Sequence, residues 1–171
     1  AKAWQKRLQQ SQKNIDLLKQ ESKKVITPLQ YALLQEEQIL QRAIGKKDQA
    51  ATRLQAASAQ QQNLKQQIEQ FLESCQQGDQ WDQRRINGNR ENFCADFERL
   101  ITTSRSIDRY EKECQQALEE YQKQGRQRLL ASQQLESQEK KYQRLLHRAQ
   151  TSLQANQEQF SNHWPEYDLT Y

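Results

Sequence analysis

The stretch QGDQWDQRRINGNREN, residues 77–92, decides the fold. It holds Gly78 and Gly88, two of the four glycines in the chain, and the cluster Asn87-Gly88-Asn89, residues that punctuate regular structure. On either side the chain is almost free of such breakers; the exceptions are Pro28, Gly45, Gly125 and Pro165. The stretch lies near the midpoint, and the halves around it mirror each other. The expected architecture is therefore all-α: one long antiparallel two-helix coiled-coil hairpin. Limb 1 is assigned to 1–76, the tip loop to 77–92, limb 2 to 93–163 and a tail to 164–171, all in a single domain.

Composition supports a paired helical chain over a globular one. Only 34% of the 171 residues are hydrophobic and mean hydropathy is −1.21. That is too few for a sizeable core, but enough for a narrow seam between two helices. Gln, Lys, Glu, Arg, Ala and Leu dominate, the types that lose least on entering a helix. The 26 basic and 22 acidic residues give +4 overall with mixed signs, the pattern of a solvated surface. No run of 18 apolar residues exists, so no transmembrane helix and no membrane partner are expected. The start AKAWQKRLQQ has no apolar signal core. It reads equally as a processed end, a mature secreted end or the cut edge of a larger protein.

The apolar residues recur at alternating steps of three and four, the period of a heptad seam. In limb 1 the seam begins at Trp4, Leu8, Ile15, Leu18 and Val25, with Ser11 and Ser22 filling two positions. Thr27-Pro28-Leu29-Gln30 then reads as a fresh helix start, with Thr27 as cap and Pro28 at the first helical position. A break is expected at 26–28, where the seam also slips by one residue. From Leu29 to Cys75 it continues through Leu33, Glu36, Leu40, Ala43, Lys47, Ala50, Leu54, Ala57, Gln61, Leu64, Ile68 and Phe71. Glu36, Lys47 and Gln61 weaken it locally and help to fix register. The Ala-rich part, 50–59, allows close approach of the partner helix. Limb 2 carries a matching seam from Phe93 to Phe160 that includes Phe97, Leu100, Ser104, Glu111, Leu118, Gly125 and Arg128.

Facing residues in an antiparallel pair have position numbers that add to a constant. Trp4 with Trp164, Leu8 with Phe160, Ile15 with Leu153, Ile26 with Tyr142 and Leu54 with Cys114 all give 168. So do Ile68 with Leu100 and Phe71 with Phe97. Limbs of this length would span roughly 110 Å at 1.5 Å per residue. The expectation is a rod with both termini at one end and residues 77–92 at the other.

Four residues of the tip are the candidate partner-binding site: Trp81, Arg84, Arg85 and Arg90. Trp flanked by Arg is the composition of an interface anchor, and it could also stack on nucleic-acid bases. The alternative is that Trp81 folds back on Phe93 or Phe71 and merely closes the hairpin. Pro28, Gly45 and Gly125 form a candidate joint. The two glycines fall at nearly the same height on opposite limbs, which reads as a flexible point, a close approach or coincidence. Cys75 and Cys94 are nearly symmetric about the tip, so a disulfide is conceivable; buried free thiols are the alternative reading, which also fits Cys114. Three cysteines with no disulfide framework suit a reducing, cytoplasmic setting. An oxidised Cys75–Cys94 pair would instead mark a secreted helical protein.

Catalysis has no support in the residues. His147 and His163 are the only histidines, no CxxC is present, and no glycine-rich phosphate loop occurs. No cofactor and no metal are expected. The layout is similar to two known architectures: the arms of SMC-like and RecN-like ATPases of chromosome organisation and DNA repair, and the stalk proteins of flagellar and type III secretion ATPases. The resemblance is of shape and carries no residues across. It implies a non-enzymatic structural protein that spans a distance and presents its tip or helical surface to a protein partner. The off-seam apolar residues Leu17, Leu34, Ile39, Ile44, Ile101, Leu129 and Leu145 also allow a side-by-side homodimer. Nucleic acid at a basic tip is a weaker third reading.

Overall fold

The computed structural model describes residues 1–166. Two helices dominate it, α1 (Lys2–Cys75) and α3 (Arg90–His163), each of 74 residues. Between them lie two-residue strands β1 (Gln76–Gln77) and β2 (Gln80–Trp81) and a six-residue helix α2 (Gln83–Gly88). The fold is all-α, with the long helices packed against each other. The chain divides into two units, one of Ala1–Ile39 with Gly125–Tyr171 and one of Leu40–Gln124.

The interruption expected at 26–28 is absent: α1 runs through Pro28 without a break. Pro28 lacks an N–H, so one backbone bond is forfeited there. Thr27 and Pro28 are exposed, where water can satisfy the carbonyl left over, and half-buried Val25 and Leu29 hold the seam on either side. Packing on both flanks outweighs a single missing bond, and the local start signal goes unused.

In the first unit Leu8, Ile15, Leu153 and Phe160 form a buried cluster, with Trp4, Leu146, Ala149 and Trp164 packed around it. Each fully buried aliphatic or Phe side chain contributes about 1.5–3 kcal/mol. The Trp4 and Trp164 rings meet edge to face at 5.9 Å. Further along, Tyr142 donates its hydroxyl to Glu21 Oε1 at 3.3 Å, and Arg128 Nη2 reaches Glu37 Oε1 at 3.2 Å. Numbers rise along α1 as they fall along α3, so the two segments run in opposite directions in this unit.

The second unit repeats that sense. Lys47 Nζ sits 4.4 Å above the Tyr121 ring, Gln61 Nε2 donates to Ser104 Oγ at 2.8 Å, and Phe71 meets Phe93 with centroids 5.5 Å apart. On α1 the buried residues are Ala43, Ala50, Ala57, Leu64, Ile68 and Cys75, all on the expected seam. Two of the polar seam residues, Lys47 and Gln61, have found partners across the interface. Glu36, in the first unit, has not: its Oε2 is enclosed with no hydrogen-bond partner.

On α3 the expected seam is only partly realised. Phe97 and Leu118 are 41% and 44% exposed, and Glu111 and Arg128 are also exposed. Thr103 is buried instead, and Tyr110, Ala117 and Gln124 are half-buried, each one residue before an expected position. A straight helix drifts by about 20° per heptad against a strict seven-residue repeat, so the buried stripe moves across α3. The shift keeps Glu111 in water and brings the small Ala117 to the groove that Ala50 also lines. Thr103 is tolerated because its hydroxyl donates to the Arg99 carbonyl at 2.8 Å. The ring expected beside Phe71 also changes: Phe71 packs on Phe93, and Phe93 in turn on Phe97 at 4.7 Å.

Candidate interaction site between the long helices

Residues expected to be a loop are mostly ordered structure. After Cys75 the chain forms a tight antiparallel turn, with Gln76 opposite Trp81 and Gln77 opposite Gln80. Gly78 makes this turn, at φ +60°, a conformation side-chain-bearing residues seldom adopt. The Asp82 N–H then donates to the Cys75 carbonyl at 2.7 Å, tying the turn to the last residue of α1. Asp82 caps α2: its Oδ1 accepts from the Arg85 N–H at 3.2 Å. Asn89 closes α2, its Nδ2 donating to the Arg85 carbonyl at 2.9 Å, and the Asn89 carbonyl accepts from Phe93 N–H to start α3. The Asn-Gly-Asn cluster thus makes a helix-to-helix junction. Glu91 lies in the first turn of α3, where the helix dipole favours an acid.

This framework places the four sequence-predicted residues on separate short elements: Trp81 on β2, Arg84 and Arg85 on α2, and Arg90 at the first position of α3. All four are exposed. Trp81 is 47% exposed, and among the described residues no aromatic ring lies against it. The stack that closes this end is Phe71, Phe93 and Phe97, so the fold-back role weighed for Trp81 is filled by other rings. Arg85 reaches the Ser74 carbonyl at a long 3.5 Å. No ion pair among the described residues involves any of the three guanidinium groups. Residues 77–92 also contain Asp79, Asp82 and Glu91, so their charges balance.

The candidate joint finds a different answer at each position. Pro28 lies inside a continuous helix. Gly45 and Gly125 both lie within long helices, and a Cβ built on either would meet nothing within 4 Å. Neither glycine is required by a close approach. Cys75, Cys94 and Cys114 are free thiols, respectively buried, exposed and half-buried. The buried-thiol reading fits Cys75 and fails for Cys94. Of the off-seam apolar residues, Leu17, Leu34, Ile39, Ile101, Leu129 and Leu145 are exposed, whereas Ile44 is half-buried. Tyr31 and Leu130, at 63% and 59%, join that exposed set; each lies two residues from the nearest seam positions.

Among the described residues no group of three His, Cys, Asp or Glu is placed to hold a metal ion. No helix there is long and apolar enough to cross a membrane. The expected tail begins at Trp164, which packs on Phe160 and Trp4; residues 167–171 lie outside the described residues. Comparison of the chain with models of known protein families, with curated proteins and with solved structures finds no match.

Proposed function

We propose that the chain is an antiparallel coiled-coil hairpin with a mechanical, non-enzymatic role. In this reading it is an arm segment of an SMC-like or RecN-like ATPase of chromosome organisation or DNA repair, and its turn offers a contact to a protein partner. The observation that carries it is the packing of two helices of equal length, 74 residues each, against one another, with facing residues that run in opposite directions within each unit. Helices this long are held by each other and not by propensity. The exposed Trp81, with three guanidinium groups nearby in sequence that have no ion pair among the described residues, supports a partner contact at the turn. Grooves along the helices, such as the one lined by Leu29, Leu130 and Gln133, are open to solvent and do not exclude water as an active site would.

Two measurements test this reading. Spin labels at positions 4 and 164 are expected to lie within a few helix diameters of each other, about 10–12 Å apiece; a separation several times larger sinks the hairpin. The reading frame encoding residues 1–171 is expected to continue on both sides into nucleotide-binding motifs. A frame that closes at either end removes the arm and leaves the alternative, a freestanding stalk associated with a flagellar or type III secretion ATPase.

A further inference from the structure

The net charge of +4 conceals a segregation. Residues 40–124 hold thirteen Lys and Arg against thirteen Asp and Glu, a neutral unit. The excess lies wholly in the other unit, within residues 1–24 and 140–163. There eleven Lys and Arg face only three acids, Asp16, Glu21 and Glu158. No acid occurs before Asp16 or between Glu139 and Glu158. The two segments are adjacent in space, joined by the Leu8, Ile15, Leu153 and Phe160 cluster and by the Glu21–Tyr142 hydrogen bond.

All eleven cations are exposed, and among the described residues Lys140 alone of them has an ion-pair partner, Glu136 at 2.9 Å. Lys140, Arg144 and Arg148 follow at intervals of four along α3, as do Lys2 with Lys6 and Lys19 with Lys23 along α1. Like charges at this spacing stand side by side and repel. Elsewhere like-charged cation pairs at this spacing, Arg42 with Lys46 and Arg105 with Arg109, have an acid close by in sequence, Asp48 and Asp108, whereas Lys2, Lys6, Arg144 and Arg148 have none within four residues. Lys140, Lys141, Arg144 and Arg148 also line one open groove with Ser137 and Leu145, with no carboxylate in its wall.

We infer that this basic segment docks the phosphate backbone of a nucleic-acid duplex. Cations spread along two helices match a ligand whose charge is itself linear and dense, and counterion release supplies the affinity. Nothing in the segment reads base edges, so binding is expected to be indifferent to sequence. An anionic membrane is the poorer occupant. A helix that settles into a bilayer surface needs a broad apolar face, and the large apolar residues here are committed to the interhelical seam, leaving Leu17 and Leu145 exposed. The inference concerns a surface remote in sequence from Trp81 and the charge-balanced turn, and it holds whichever assembly the hairpin belongs to.

The test is fluorescence anisotropy of the full chain with a labelled random-sequence DNA duplex, titrated at several NaCl concentrations. One side of a helix pair can present about half of the cations, so neutralising about five phosphates predicts a log–log salt slope near −4 to −5. The triple variant Lys141→Glu, Arg144→Glu, Arg148→Glu is expected to bind at least tenfold more weakly in low salt, with a slope shallower by about 3. Its Gln counterpart removes the charge without adding acids, and circular dichroism checks that both remain helical. The variant Arg84→Glu, Arg85→Glu, Arg90→Glu is expected to bind within twofold of the parent. Absence of binding in low salt overturns the proposal. So does a loss confined to the Arg84, Arg85 and Arg90 variant, or binding to phosphatidylserine vesicles with none to the duplex.

Discussion

Replacing Glu36 by Leu should stabilise this protein, although it removes a charged residue from a very polar chain. Glu36 occupies a seam position of α1 and is half-buried, with Oε2 enclosed and lacking a hydrogen-bond partner. A polar atom left in that state costs about 1–3 kcal/mol. A Leu there would recover part of the 1.5–3 kcal/mol available from full burial, about 1 kcal/mol at a half-buried site. The two effects add to a gain of roughly 2 kcal/mol, a rise in Tm of about 4–8 °C for a chain of this size. Thermal melts followed by circular dichroism, with calorimetry to check that the transition is two-state, would measure it. Glu37→Leu is the control: Glu37 pairs with Arg128 across the interface at 3.2 Å with both side chains partly exposed, and losing such a pair costs at most about 1 kcal/mol. A lower midpoint for Glu36→Leu than for the parent would refute the reasoning, because it would mean that the carboxylate is paired and contributes to stability.

Pro28→Ala should raise Tm, since Ala restores a backbone bond inside a continuous helix and propensity favours it by up to about 3 kcal/mol; a fall would contradict the unbroken course of α1. Gly125→Ala, which adds a Cβ into open space, should gain about 1 kcal/mol in urea denaturation, and a loss of similar size would restore the close-approach reading. Phe160→Ala empties a fully buried site and should cost about 3–5 kcal/mol, against under 1 kcal/mol for truncating the half-exposed Leu118. Burial, and then the Glu21 carboxylate, push the Tyr142 phenol above its usual value of 10. Its contribution to stability is therefore complete below pH 10 and fades as pH climbs through the raised value. Absorbance at 295 nm should show one tyrosine titrating after the others, and Glu21→Gln should bring it closer to them.

The seam of α1 was legible residue by residue because every expected position from Leu8 to Cys75 is buried or half-buried, the fully buried ones being small or aliphatic side chains. Limb 2 was less legible. Sequence spacing cannot decide between Leu118 and Ala117, since the choice depends on how closely the Ala-rich part of α1 allows its partner to approach. The Thr27-Pro28 signal was a true local preference that packing on either side overrode. At the turn, Trp81 and the three arginines were visible as composition. The strand pair and α2 were not: both rest on single interactions, the φ +60° of Gly78 and the cap by Asp82. The basic segment escaped a linear reading because its halves are more than a hundred residues apart in the chain and meet only on folding.

The unequal accessibility of the three thiols turns the native protein into its own reporter. A maleimide in solution should modify exposed Cys94 at once and half-buried Cys114 more slowly. Cys75, with no accessible surface, should react only during moments when α1 and α3 part beside the turn. The lag between the first and last adduct is thus a clock for that parting, readable by mass spectrometry with no substitution introduced.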